Sequence, residues 1–296
     1  MKFGVCLPTF DQHGTREAIT QVARRADDHG WDSVWTTDHV LMAANQQRPY
    51  GHLVEAMTTL AYVAGMTQRV RLGTSVIILA QRNPIVVAKE AAAIDVLSGG
   101  RMILGVGAGW NAREFAFLGA DFHRRGRILD EGIQVMRALW TQPQPAFEGR
   151  FFKFSETVFS PKPVQPGGIP IWVGGNSEPP ARRAARLGDG WHITGSTPEQ
   201  ISHLMNLIQP EIQRQPFTLS ARMEVDLTGR LPAQFPGMDG SPRRRLSGSV
   251  KEIIQGFEDY ARVGVEYIVC VFTDEKVEDL LAHMRVFEEE VIRDAC

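Results

Sequence analysis

Strand-like apolar runs begin near Lys2, Ser33, Val70 and Met102, so successive starts lie 31, 37 and 32 residues apart. That interval holds one strand plus a helix that carries the chain back to lay the next strand parallel to the first. The stretches between the runs have helical periodicity and explicit ends. Ile19, Val22, Ala23 and Ala26 recur at i, i+3, i+4 and i+7, and Gly30 stands where a left-handed helix stop is needed. Asn83 followed by Pro84 predicts a helix start, with Ala88, Ala91 and Ile94 on its inner face and Gly99-Gly100 as its end. Leu129, Ile133, Met136 and Trp140 line one face of the next helix.

After Pro145 the rhythm breaks. Residues 145–168 collect aromatics and prolines, which predicts an inserted hairpin or loop before a fifth strand at Ile169–Val173. The rhythm then resumes with strands at Trp191–Thr194, Leu219–Leu227 and Glu266–Val271. Thr197 with Gln200, and Ser249 with Glu252, read as capping boxes for the helices between them. Residues 230–247 have turn composition and predict a mobile loop over the mouth, with Arg243, Arg244 and Arg245 solvated. Eight strand-helix units close a parallel sheet on itself more readily than they extend it. The expected fold is therefore α/β, a (β/α)8 TIM barrel with insertions after strands 4 and 7, and residues 1–296 read as a single domain.

Composition narrows the partners. Lys+Arg 32 against Asp+Glu 34 leaves no strong field for nucleic acid or an anionic membrane. No apolar run reaches the roughly 20 residues of a membrane span, and the start MKFGVCLPTFDQ lacks a signal-peptide core, so a cytoplasmic protein is expected. Cys6, Cys270 and Cys296 have no C-x-x-C spacing, and no metal site is expected. Cys6 and Cys270 fall on the first and last strands, which become neighbours if the barrel closes.

In such a barrel the chemistry belongs to the loops that follow the strands. The second strand ends in Asp38-His39, a carboxylate beside a side chain that titrates near neutrality; a histidine packed on a backbone carbonyl is the alternative. The third ends in the buried run Leu72–Val76. The fourth gives Gly105-Val106-Gly107-Ala108-Gly109-Trp110-Asn111, whose glycines either admit a flat or phosphorylated ligand or simply turn a corner. The fifth leads through Gly174, Gly175 and Asn176 into a helix opened by Pro179-Pro180, which suits an anion such as phosphate or, more plainly, a tight loop. Two segments, the aromatic one (Phe147, Phe151, Phe152, Phe154, Phe159) and 230–247, either line the pocket or pack outside the barrel.

These pieces match a known family. Through SVWTTDHV, VRLGTSVIILAQRNPIVVAKEAAAIDVLSGGRMILGVGAGWNAREF, IPIWVGGNS and LGDGW the chain resembles the bacterial-luciferase-like oxidoreductases, particularly those that use the deazaflavin coenzyme F420. The resemblance implies His39 as acid/base, supported by Asp38. It implies a non-prolyl cis peptide at Ser75-Val76 beneath the ring, with Gly107, Ala108, Gly109 and Asn111 bordering the ring and ribityl chain. Gly174 and Gly175, with Asn176 beside them, would hold the phosphate. Hydride exchange with a small organic substrate follows, in either direction. A second copy of the chain, as a homodimer, is a further expected partner. Three rival readings are an FMN-dependent monooxygenase, a non-catalytic flavin-binding protein, and an aldolase or isomerase barrel. The last needs a Lys or carboxylate at a strand end, whereas Lys89 and Lys153 fall on a helix and an insertion.

Overall fold

The computed structural model describes residues 1–46, 48–274 and 276–292. Eight parallel strands form its centre: β1 Lys2–Cys6, β2 Ser33–Thr36, β3 Arg71–Thr74, β4 Met102–Gly107, β5 Ile171–Gly174, β6 Gly190–Thr194, β7 Thr218–Asp226 and β8 Tyr267–Phe272. Each is hydrogen-bonded to the next. β8 returns to β1 with Val5 opposite Cys270, so the sheet closes as a (β/α)8 barrel. Outside it run α1 Arg16–Asp28, α2 Ala56–Ala64, α3 Pro84–Ser98, α4 Ala112–Phe117, α5 Arg125–Thr141, α6 Glu178–Leu187, α7 Pro198–Ile208, α8 Val250–Arg262 and α9 Val277–Phe287. Among the described residues no helix is long and apolar enough to cross a membrane.

Local chemistry accounts for these boundaries. Asn83 Oδ1 accepts from the Ile85 amide at 2.9 Å, Pro84 opens α3, and Gly99 closes it at φ 69°. Both capping boxes form as expected, Thr197/Gln200 on α7 and Ser249/Glu252 on α8.

The lower barrel is plugged by aromatic rings. Trp35 stacks on His192 and on Trp172, each at 5.4 Å between centroids, and Tyr267 closes on Trp172 edge-on at 5.1 Å. Glycines make the room: a Cβ on Gly73 would stand 2.2 Å from the Trp35 ring, and one on Gly4 2.5 Å from it. The β1–β8 register also explains the thiols. Because Val5 faces Cys270, Cys6 is one residue out of step and points into the barrel, whereas Cys270 packs in the outer core. Burial pushes both thiols up in pKa. Cys296 lies outside the described residues.

The two insertions go to opposite ends. The first follows α5 and forms a small hairpin, Phe147–Glu148 against Lys153–Phe154. Glu131 fixes its turn by accepting from the amides of Arg150, Phe151 and Phe152, and Asp95 fixes its end by accepting from the amides of Val164 and Gln165. Gln165 in turn reaches the carbonyl of Met102 at the foot of β4, so this segment packs beneath the barrel. The second insertion follows β7. The expected mobile loop is corrected here: Pro242–Ser247 pairs with the outer end of β7, and Gln234–Pro236 pairs with Pro242–Ser247. Its arginines are not freely solvated: Arg243 and Arg244 are half-buried and Arg245 is buried. Arg245, 9% exposed, pairs with Glu224 and lies 4.4 Å from the centre of the Phe235 ring. Arg243 donates to the Thr194 carbonyl at 2.9 Å and pairs with Asp239.

Candidate active site

The strand ends enclose a cavity of about 930 Å³ at the mouth of the barrel. Ten of the eleven residues nominated from sequence stand on its wall: Asp38 and His39 after β2, Ser75 and Val76 after β3, Gly107, Ala108 and Gly109 on and after β4, and Gly174, Gly175 and Asn176 at the end of β5. Asn111 is the exception. It is buried, its Oδ1 caps α4 through the amides of Arg113 and Glu114, and its Nδ2 points to Gln46.

His39 has a partner that sequence reasoning passed over. Its Nδ1 lies 2.8 Å from Oε2 of Glu114, a fully buried residue on α4. Burial raises the Glu114 carboxyl, yet the His39 hydrogen bond and charge, with the Val40 and Leu41 amides, outweigh it and hold the group below its usual range. An ionised carboxylate only accepts, so Nδ1 carries the proton and Nε2 is the nitrogen left for the cavity. Tyr50 and Trp110 flank the imidazole at 4.6 and 5.7 Å. Asp38 is corrected as the support of His39. Its carboxylate is taken by the Arg82 guanidinium at 2.6 Å and by the Ile78 amide at 2.9 Å, which ties the end of β2 to the segment after β3.

That segment enters the cavity as a bulge. Ser75-Val76 is a cis peptide, as the resemblance implied. The alternating glycines of β4 make way for it. A Cβ on Gly105 would meet the Thr74 carbonyl oxygen at 1.9 Å, and those on Gly107 and Gly174 would meet the Val76 methyls at 2.7 and 2.9 Å. Below the bulge, Ser220 Oγ donates to the Trp191 carbonyl, so His192 Nδ1–H donates to Ser220 at 2.7 Å and His192 Nε2 accepts from Ser75 Oγ at 2.8 Å. Burial and the neighbouring Arg222 charge lower the His192 pKa to about 3, so it is neutral. Arg222 Nη1 donates to the Ser75 carbonyl at 2.9 Å.

At the far end the amino terminus of α6 opens onto the cavity through Gly174, Gly175 and Ser177, and the Ser177 side chain does not cap it. Free amides at a helix start attract an anion. Arg125 and Arg183 stand on the same wall. Asn176 is less available than expected, since both ends of its amide are bonded to the Thr194 backbone.

Sequence reasoning therefore missed Glu114, Tyr50 and Arg222. Strand β7 did carry a signal, because Ser220, Arg222, Glu224 and Asp226 alternate with apolar residues on a strand buried on both faces.

The family profile described as luciferase-like monooxygenase matches residues 1–227. An uncharacterized protein of Mycobacterium tuberculosis is 30% identical over 298 residues, covering 96% of each chain. An F420-dependent glucose-6-phosphate dehydrogenase of Amycolatopsis mediterranei is 36% identical over 188 residues, 62% of this chain and 55% of that one. Among solved structures, an F420-dependent secondary alcohol dehydrogenase in complex with an F420-acetone adduct superposes with a TM-score of 0.81 at 18% identity, covering 98% of both chains.

Proposed function

We propose that this chain, which belongs to the luciferase-like monooxygenase family, is a coenzyme F420-dependent oxidoreductase that moves a hydride to or from a small organic substrate. The observation that carries the reading is the His39–Glu114 pair, whose free imidazole nitrogen belongs to the same cavity wall as the Ser75-Val76 bulge and the open start of α6. One wall thus combines a proton-transfer group, a surface against which a flat ring can lie, and an anion cradle. The similarity to F420-dependent dehydrogenases supports the choice of coenzyme.

In this reading Ser75, Val76, Gly107, Ala108 and Gly109 bound the ring, and Gly174 and Gly175 with the α6 amides hold the phosphate. Asn176 braces that corner, and Asn111 orients α4. Bound there, the deazaflavin supplies the two-electron hydride chemistry. His39 Nε2 takes a proton from the substrate hydroxyl or returns one to the carbonyl oxygen, and Glu114 balances the imidazolium while it exists. Tyr50 and Trp110 keep water from that nitrogen.

The test is anaerobic titration of the purified protein with coenzyme F420 and, separately, FMN, followed by turnover with a panel of secondary alcohols and unsaturated carbonyl compounds. Micromolar or tighter F420 binding with hydride transfer is expected. FMN binding with oxygen-dependent turnover and no affinity for F420 would instead establish the monooxygenase alternative.

A further inference from the structure

His39 can take a proton, but in its neutral form it cannot hold a carbonyl. Its Nδ1–H is given to Glu114, and the Nε2 left for the cavity is a bare acceptor. A ketone oxygen offers only lone pairs, so a donor has to meet it. The Ser75 hydroxyl at the floor of the cavity is not that donor, because it is given to His192 Nε2. Tyr50 carries a hydroxyl beside His39. Its ring lies over the imidazole, 4.6 Å between centroids and tilted by 31°, and both side chains line the cavity. Phe10 backs the phenol edge-on at 6.3 Å. Among the described residues the Tyr50 hydroxyl has no hydrogen-bond partner. The Arg222 guanidinium on the inner wall lies within electrostatic reach of that oxygen, which puts the hydroxyl on the cavity side of its ring. Trp110, the other ring beside His39, meets the imidazole edge-on at 5.7 Å instead of lying over it.

We propose that Tyr50 is a second catalytic group, whose hydroxyl donates a hydrogen bond to the substrate oxygen while His39 Nε2 exchanges a proton with that same oxygen. The inference rests on the oxidoreductase reading above and narrows the substrate to a compound whose reacting carbon is a carbinol or its ketone. An alcohol suits the pair in both senses, giving its O–H to Nε2 and accepting from Tyr50. In oxidation the O–H bond breaks and its proton goes to Nε2. The carbinol C–H bond breaks with its electron pair, the hydride passing to the oxidised coenzyme, and the C=O bond forms. Reduction reverses each transfer. Tyr50 gives up no proton in either direction; it meets the negative charge that develops on the oxygen.

The experiment uses the full chain loaded with oxidised coenzyme F420, as wild type, Tyr50→Phe and Trp110→Phe, each checked for folding by circular dichroism. Phe at position 50 keeps a ring over His39 and removes only the hydroxyl. The probe is cyclohexanone labelled isotopically at its carbonyl carbon. The oxidised coenzyme has no hydride to give it, so difference infrared spectroscopy reads the C=O stretch of a stable complex. In wild type the stretch is expected below its value in an apolar solvent, as for a hydrogen-bonded carbonyl. Tyr50→Phe should return it to the apolar value, and Trp110→Phe should leave it where wild type has it. Oxidation of cyclohexanol by Tyr50→Phe should fall about 10²-fold in kcat, with F420 affinity at the wild-type level. A wild-type stretch at the apolar value overturns the proposal whether or not either variant folds. So does a folded Tyr50→Phe protein with the wild-type stretch, or a shift that only Trp110→Phe removes. Wild type that binds F420 but not the ketone overturns this inference and leaves the coenzyme assignment standing. Failure to bind F420 overturns both.

Discussion

The two insertions, 145–168 and 230–247, are both rich in turn-forming residues, but they serve opposite ends of the barrel. The first interrupts a helix-to-strand connection and lands beneath the strands, where Asp95 and Glu131 tie it down. The second interrupts a strand-to-helix connection and lands on the mouth, where Phe235, Gly237 and Arg243 become cavity wall. The first holds five phenylalanines and the second Phe235 alone, yet it is the direction of the preceding element that decides to which end each one goes. The lower region should therefore answer to mutation in stability and the upper one in activity.

The sharpest way to break that division is His39→Ala. Turnover should fall by about 10²–10⁴-fold, with thermal stability close to wild type; a protein that unfolds instead would make His39 a core residue. Next is Asp95→Ala below the barrel. It strands the amides of Val164, Gln165 and Met102 and the Gln165 side chain, and should cost about 3 kcal/mol in urea denaturation. The kcat/KM of the folded fraction should stay within about twofold of wild type, a change of under 1 kcal/mol.

Asp226 sharpens the comparison through pH. Burial raises its carboxyl, but hydrogen bonds from Thr228, Leu231 and Ser247 prevail and bring it from 3.8 to about 2. The folded state therefore prefers the ionised form. The stabilisation, about 2 kcal/mol, is complete above pH 4 and lost as pH falls towards 2. Denaturation of wild type and Asp226→Asn should differ at pH 5 and converge near pH 2; a constant difference would place the stabilisation elsewhere. The smallest effect belongs to Arg243→Ala, which loosens the mouth segment from Thr194 and Asp239. A rise in KM of roughly tenfold with little change in kcat is expected, about 1.4 kcal/mol; a change in kcat alone would contradict it.

Features fixed within a few residues were legible in the sequence. The helix starts at Asn83-Pro84, Thr197 and Ser249 needed only local hydrogen bonds, and the 30-residue rhythm needed only counting. Ten nominated site residues meet because strand ends must meet in a closed barrel. Pairings across the barrel were not legible. Glu114 lies 75 positions from His39, and Arg222 lies 147 positions from the carbonyl it holds. Adjacency misled as well: Asp38 follows the chain into His39, yet its carboxylate turns to Arg82. Arg243 and Arg245 read as solvated because their acceptors, Thr194 and Glu224, are on other strands.

The rings of Trp35, Trp172, His192 and Tyr267 make the chamber a cul-de-sac. Whatever enters comes and goes at the strand ends, where the segment that follows β7 forms part of the wall. A bulky occupant lodged against Ser75 is then first in and last out, and a smaller guest comes and goes above it. Traffic through a single doorway imposes an order of events that no individual contact dictates.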